Sequence, residues 1–375
     1  EDPVHWHEPF GSWVLTRYDD VLAAFGDPRL SSERAGPMQA LAGSPDLAPF
    51  FSYLAGRMDF RDPPEHGRLR RLAQHPFSPH AVEALRPLVQ RLVDQFLNRV
   101  QGQGHMDVIA DLAYPLPATV IGELLGVPVA DRDRLKKWSD EFVGFFKTVP
   151  SQTSREDYQR SLTAARELGD YFRSILARHR GGPANGLLDA LEQAREGTDR
   201  LTAEEFSANA TLLLHAGHET TTHLIGNGLL ALLRHSDQLH KLRSDMSLVL
   251  AAVEEFLRYD SPVQLTYRMA GEDFEMAGKR IRRGQVVHLV LGAANRDPAH
   301  FPDPDRLDVG RSPNKHVAFG HGHHVCLGAY LARLEAQVAF QTLLRRFPTL
   351  RLGEGKLEHQ ENYILRGLKS LPVSW

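Results

Sequence analysis

The sequence is poor in the features that would send it to a membrane, to nucleic acid or to a disulfide scaffold. It has one cysteine, Cys326, among 375 residues, so no intramolecular disulfide can form, and a reducing cytosol fits that usage. No run of 18 apolar residues and no signal-peptide pattern occurs, so the expectation is a soluble, cytoplasmic protein. Charge is nearly balanced: 44 Lys and Arg against 47 Asp and Glu leave a formal net charge of −3, without the basic surplus that marks nucleic-acid binding. Repeats and low-complexity runs are missing, and no Gly-x-Gly-x-x-Gly fingerprint or βαβ alternation points to a dinucleotide domain. One cysteine cannot supply a four-cysteine iron–sulfur cluster either.

What is present reads as mostly α with small sheets. Trp13 to Thr16 predicts a short strand and Asp20 to Phe25 a short helix. Residues 33–60, rich in Gly, Pro and Ser, predict a long irregular loop. Helical patterning dominates from Pro64 to about Arg234. A β-rich stretch follows, Glu275 to Ile281 turning through Arg283-Gly284 into Val286 to Leu291. A last helix is expected from about Leu327 to Arg346.

The cysteine lies in Phe319-Gly320-His321-Gly322-His323-His324-Val325-Cys326-Leu327-Gly328. Leu327, Leu331, Leu334 and Val338 follow at spacings of four, three and four, one apolar stripe of a helix. That places Cys326 at a helix N-terminus, where free N–H groups and the dipole favour thiolate. Gly320, Gly322 and Gly328 permit tight turns and the approach of a bulky planar group. A lone cysteine is more often a buried structural residue, but the glycine frame favours the ligand. A metal site of His321, His323, His324 and Cys326 matches none of the paired zinc spacings. Histidine alone is weak evidence in a chain with 19 of them.

Thr202-Ala203-Glu204-Glu205 forms a capping box, and the helix it opens is expected to run to Arg234, about 48 Å. Mid-helix stands Ala216-Gly217-His218-Glu219-Thr220-Thr221-Thr222, a glycine and three β-branched residues that are poor helix material. Broken local rules mark either a site or a close helix crossing that needs small residues. A zinc-protease reading of His218-Glu219 fails, because the next histidine, His223, is at i+5 and faces elsewhere. Two further patterns stand out. His66 and Arg70 lie four apart on one helix face, suited to a carboxylate or simply a solvated basic face. Glu255 and Arg258 form an i,i+3 pair after the apolar run Leu248 to Val253.

The segment 319–328 resembles the haem-binding loop of cytochromes P450, and 216–220 resembles that family's distal-helix motif. The resemblance runs in order from about Trp13 to the C-terminus. It implies the P450 fold: one domain, 1–375, mainly α, with a helix-rich lobe, a smaller β-rich lobe and haem b between two helices. It implies Cys326 as the iron's thiolate ligand, within a loop that includes Phe319 and Gly320. By the same resemblance Ala216 and Gly217 would leave room for O₂. Glu219 and Thr220 relay the protons that O–O cleavage requires. His66, Arg70, Arg268 and His324 match contacts to the haem propionates. Glu255 and Arg258 match a structural pair joined by Arg306, although Leu307 stands where an aromatic is more usual.

The implied reaction inserts one oxygen atom of O₂ into an apolar small molecule, with electrons from a separate ferredoxin-type donor and its reductase. Variable substrate contacts should fall in residues 33–60, 143–155 and 212–216, at Val263 to Thr266 and at Tyr363 to Leu365. The expected pocket residues are Leu212, His215, Ala216, Val263, Leu265 and Ile364. His215 has two expectations: hydrogen bonding to a polar group of the substrate, or turning to a neighbouring helix. Rival activities are a peroxygenase or isomerase on the same fold, or a haem-binding sensor. The intact Glu219–Thr220 pair argues against the first two, and a sensor would need no proton relay and would show no substrate-dependent electron consumption.

Overall fold

The structure is a computed structural model that describes residues 2–43, 45–146, 153–179 and 200–375. Helices dominate: α1 Tyr18–Gly26, α2 Ala35–Ala42, α3 Ala48–Ala55, α4 Glu65–Ala73, α5 Pro79–Glu83, α6 Arg86–Val100 and α7 Pro115–Leu124. They continue as α8 Arg132–Phe142, α9 Arg155–His179, α10 Ala203–Arg234, α11 Ser236–Ser244, α12 Val249–Tyr259, α13 Leu291–Ala294 and α14 Ala329–Arg346. Among the described residues no helix is long and apolar enough to cross a membrane.

The strands are β1 Val4–His7, β2 Ser12–Leu15, β3 Leu30–Ser31, β4 His105–Asp107 and β5 Thr266–Ala270, then β6 Phe274–Met276, β7 Lys279–Ile281, β8 Val286–Leu289, β9 Arg351–Leu352 and β10 Pro372–Ser374. The largest sheet has the order β1-β2-β8-β5-β3. Only its β2–β8 pairing is parallel. It packs a core of its own, with Leu15, Val21, Ile281 and Val287 fully buried. The larger core belongs to the helices. These are the helix-rich and β-rich lobes.

The central helix forms where its sequence starts and stops it. Thr202 Oγ1 accepts from Glu205 N–H at 3.1 Å, and the Glu205 carboxylate accepts from Thr202 N–H at 2.8 Å. α10 then runs 32 residues to Arg234. Most of it is buried, against α7, α9 and α14.

Three expectations need correction. Residues 33–60 are not a loop, since they hold α2, α3 and a 3₁₀ turn at Met58–Phe60. Their Pro and Gly punctuate helices: Pro49 sits in the first turn of α3, and Gly43 caps α2 at φ +66°, while Phe50, Phe51 and Leu54 pay for the ordering by burial. Residues 275–281 are not one strand, because Ala277 and Gly278, both at positive φ, fold them into the β6–β7 hairpin. The last helix begins at Ala329 with Gly328 as its cap, so Cys326 precedes the helix.

Candidate active site

One cavity collects most of the expected residues. Its wall includes Cys326, Phe319, Gly320 and His324 from the loop before α14. From α10 come Leu212, Ala216, Gly217 and Thr220, and from α4 His66 and Arg70. Val263 and Arg268 complete the set from β5 and the turn before it. Residues as far apart in the chain as His66 and Cys326 thus meet at one void.

The cysteine loop is held by its own backbone. Cys326 N–H donates to the Phe319 carbonyl at 2.9 Å, Gly320 N–H to Val317 at 2.9 Å, and Val325 N–H to Gly322 at 3.1 Å. Gly320 and Gly322 take φ of +71° and +70°, a region closed to most side chains. A Cβ on Gly322 would lie 3.3 Å from the Phe25 carbonyl oxygen. The loop delivers Cys326 with its exposed surface on the cavity. Burial within the protein pushes its thiol up, opposed by a hydrogen bond from Gly328 and by the charges of Arg70 and Arg333. The expected N–H donor is therefore present, but burial outweighs it. Arg333 lies 4.5 Å over the Phe319 ring and is held by Glu254 through two bonds of 2.7 and 2.8 Å.

Across the cavity, α10 meets its unfavourable composition with side-chain bonds to carbonyls four residues back. His215 Nδ1 reaches Thr211 at 2.9 Å and His218 Nδ1 reaches Leu214 at 2.8 Å. Thr220 Oγ1 donates to Ala216 at 3.1 Å and Thr222 Oγ1 to His218 at 2.9 Å. Such back-bonds compete with regular helix geometry. Gly217 has a packing reason as well: a Cβ there would lie 2.9 Å from Ile121 Cγ1 of α7. Site and close helix crossing are both realised. Glu219, adjacent to Thr220, is turned off the cavity wall, and burial followed by the nearby Asp140 raises its carboxyl to about 7.

The cavity's third side is basic. The rings of His66 and His324 lie 4.0 Å apart. Burial lowers His66 to about 4, His324 to about 3 and Arg268 to about 9, and lowers Arg70 as well. His324 Nε2 is buried with no hydrogen-bond partner among the described residues. The nearby Asp59 carboxylate is already engaged by Arg57 at 2.9 and 2.7 Å. Buried bases short of acids call for anions. A thiol on one wall, a cationic end and an apolar remainder fit a planar, metal-centred dicarboxylate. Among the described residues no three His, Cys, Asp or Glu side chains converge on a metal position, so the His321, His323, His324 and Cys326 alternative has no geometry.

The comparisons agree with that fit. The family model described as Cytochrome P450 matches residues 38–366. The chain belongs to the cytochrome P450 family. It is 40% identical over 366 residues to the biotin biosynthesis cytochrome P450 of Bacillus subtilis (strain 168), covering 98% of this chain and 91% of that protein. It is 42% identical over 384 residues to the cytochrome P450 monooxygenase PikC of Streptomyces venezuelae, covering 100% and 88%. Among solved structures it resembles P450BioI in complex with a hexadec-9Z-enoic acid-ligated acyl carrier protein, with a TM-score of 0.93 and 39% identity, over 100% of this chain and 95% of that one. The family implies haem and a P450 monooxygenase activity in general.

Several expected positions in this P450 take other places. His215 is not on the cavity wall: its ring packs 5.4 Å from that of Phe142 on α8, and burial lowers it to about 3. It has turned to the neighbouring helix. Leu265 and Ile364 are also off the wall. Along β5 it is Thr266 and Arg268 that face the cavity, the opposite phase to Leu265 and Tyr267. Arg306 is exposed, and only its carbonyl contributes, accepting from Arg258 Nη2 at 3.2 Å. The guanidinium that joins the fully buried Glu255–Arg258 pair is Arg311, whose Nε lies 3.2 and 3.1 Å from the two Glu255 oxygens. Residues 147–152 of the expected contact segment 143–155 lie outside the described residues. Met58 falls within the expected segment 33–60, but the sequence reading missed Ile121, Leu224 and Leu291 on the wall, which reach it from separate elements without a local signal.

Proposed function

We propose that this P450 binds haem b through Cys326 and inserts one oxygen atom of O₂ into an apolar small molecule, the whole chain 1–375 acting as one catalytic domain. The observation that carries the reading is that Cys326 and Thr220 line the same cavity from opposed elements, with His66, Arg70, Arg268 and His324 at its basic end. When bound, haem supplies dioxygen binding and O–O cleavage.

The residues of the chain do the rest. Cys326 would ligate the iron as thiolate, and the four bases would hold the propionates, whose charge would offset the bases' burial. Ala216 and Gly217 would keep the α10 wall of the cavity small-sided. Thr220 Oγ1 holds the proton donor at the cavity, and Glu219 behind it resupplies protons, its raised carboxyl suited to proton transfer near neutral pH. Leu212, Leu224, Val263 and Leu291 offer the substrate an apolar wall. An acyl chain is favoured among possible substrates by the likeness to P450BioI in its acyl carrier protein complex. Electrons come from a small ferredoxin-type protein and its reductase.

The test is reconstitution with ferredoxin and reductase. In wild type, oxidised product should match reductant consumed. Thr220→Ala should keep consuming reductant but release peroxide, with product per reductant down several-fold. Unchanged coupling in this variant would remove Thr220 from the relay.

A further inference from the structure

His223 lies one turn beyond Glu219 on α10, off the cavity wall. Its side chain is 1% exposed. Both ring nitrogens are buried without a hydrogen-bond partner among the described residues. Its Nε2 stands 3.9 Å from Glu219 Oε1, so a small side-chain rotation turns the contact into a hydrogen bond. From the opposite side the ring is pressed by the C-terminal segment, where a Cβ on Gly367 would fall 1.8 Å from His223 Nδ1. That segment is itself fixed. Gln360 N–H donates to the Gly367 carbonyl at 2.9 Å, and Asn227 Nδ2 on α10 donates to that of Arg366 at 2.9 Å.

A buried imidazole that has lost water and gained no partner needs a reason to be there. We propose that His223 is the positioning partner of Glu219: the two share one proton, and His223 thereby holds Glu219 in the orientation from which it supplies Thr220. The proton resides either on the carboxyl beside a neutral imidazole or on the imidazole beside a carboxylate. Either way the pair is neutral overall, which suits a buried site. The inference rests on the reading of Glu219 and Thr220 as a proton relay.

The surroundings bear on both members. Burial raises Glu219, with Asp140 of α8 adding to it, and burial lowers His223, helped by His218 on the same helix and His359 in the C-terminal segment. Lys136 and Asp140 act in turn on His218. Removing His223 takes away the base able to accept the Glu219 proton, so Glu219 becomes a weaker acid.

The experiment is an infrared titration of the carboxyl stretch in the haem-loaded protein from pH 5 to 9. The Glu219 band is identified by its loss in Glu219→Gln, and product per reductant is measured alongside. His223→Leu should raise the Glu219 midpoint by about one pH unit, a roughly tenfold weaker acid, and lower product per reductant several-fold. His223→Gln, which offers a hydrogen bond but carries no proton, should recover part of both. Should His223→Leu not fold, Gly367→Ala displaces the ring without altering its chemistry and should also move the midpoint. An unmoved midpoint in either folded variant overturns the inference and leaves the ring as packing. If Glu219→Gln itself stays fully coupled, the relay reading fails instead.

Discussion

Exchanging the two arginines near the Glu255–Arg258 pair separates the structure's account from the motif's. Arg311 is 11% exposed. Besides its bonds to Glu255, its Nη1 donates to the Pro302 carbonyl at 2.8 Å, and its Nη2 to Asp303 and Arg306 at 3.2 and 3.1 Å. Glu255 is fully buried and also accepts from Asp308 N–H and Asn314 Nδ2, at 2.9 and 3.1 Å, so it ties down the segment leading to the cysteine loop. Breaking a buried ion pair costs about 3–5 kcal/mol. Because Arg258 stays bidentate at 2.8 and 2.9 Å, Arg311→Ala belongs at the low end, about 3 kcal/mol. An unfolding entropy of about 2.1 cal/mol/K per residue gives roughly 0.8 kcal/mol/K for the chain, hence a Tm lower by about 4 °C. Arg306→Ala removes an exposed side chain and should stay within about 0.5 kcal/mol. Thermal unfolding of the haem-loaded variants reads both. An Arg306→Ala loss equal to or larger than that of Arg311→Ala would refute the assignment.

Two more predictions concern the central helix. Gly217→Ala should destabilise by about 1–3 kcal/mol through overpacking, and Ile121→Val in the same protein should recover part of the loss in chemical denaturation; an additive double mutant would show that the two do not touch. His215→Leu should bind substrate as wild type does at every pH from 5.5 to 8 in spectral titration, since His215 is off the cavity wall; a pH-dependent loss of affinity would return it to the pocket. The same variant bears on acid stability. The folded-state value of His215 lies near 3, below the usual 6.5, so the folded state resists its protonation. Stability is present above about pH 6.5 and is lost as pH falls toward 3, at about 1.4 kcal/mol per unit. Removing the imidazole should flatten the fall between pH 6.5 and 5 by about that slope.

Legibility in the sequence followed the range of the interaction. The capping box at Thr202–Glu205 and the length of α10 are local and were readable. So were Gly320 and Gly322 before Cys326, because positive φ leaves a composition mark, whereas Gly328 takes φ −85° and caps α14. The choice between Arg306 and Arg311 was not, since a long side chain's destination depends on where Glu255 lies in space. His215 shows the same limit: helical spacing put it at the edge of the Ala216 face, and only Phe142 on α8 decides which way the ring turns. Residues 33–60 misled because Gly and Pro end helices as readily as they form loops. The acid–alcohol pair was legible as a motif, yet its division of labour was not, with Thr220 on the cavity and Glu219 behind it.

The central claim is that Cys326 is the ligand of the haem iron, and the reduced, carbon monoxide-bound spectrum tests it most directly. Wild type should show the red-shifted Soret band of a thiolate-ligated haem. Cys326→Ser should retain haem poorly, and whatever it retains should lack that band, because the chain has no other cysteine. A Cys326→Ser protein that kept the thiolate spectrum would contradict the account.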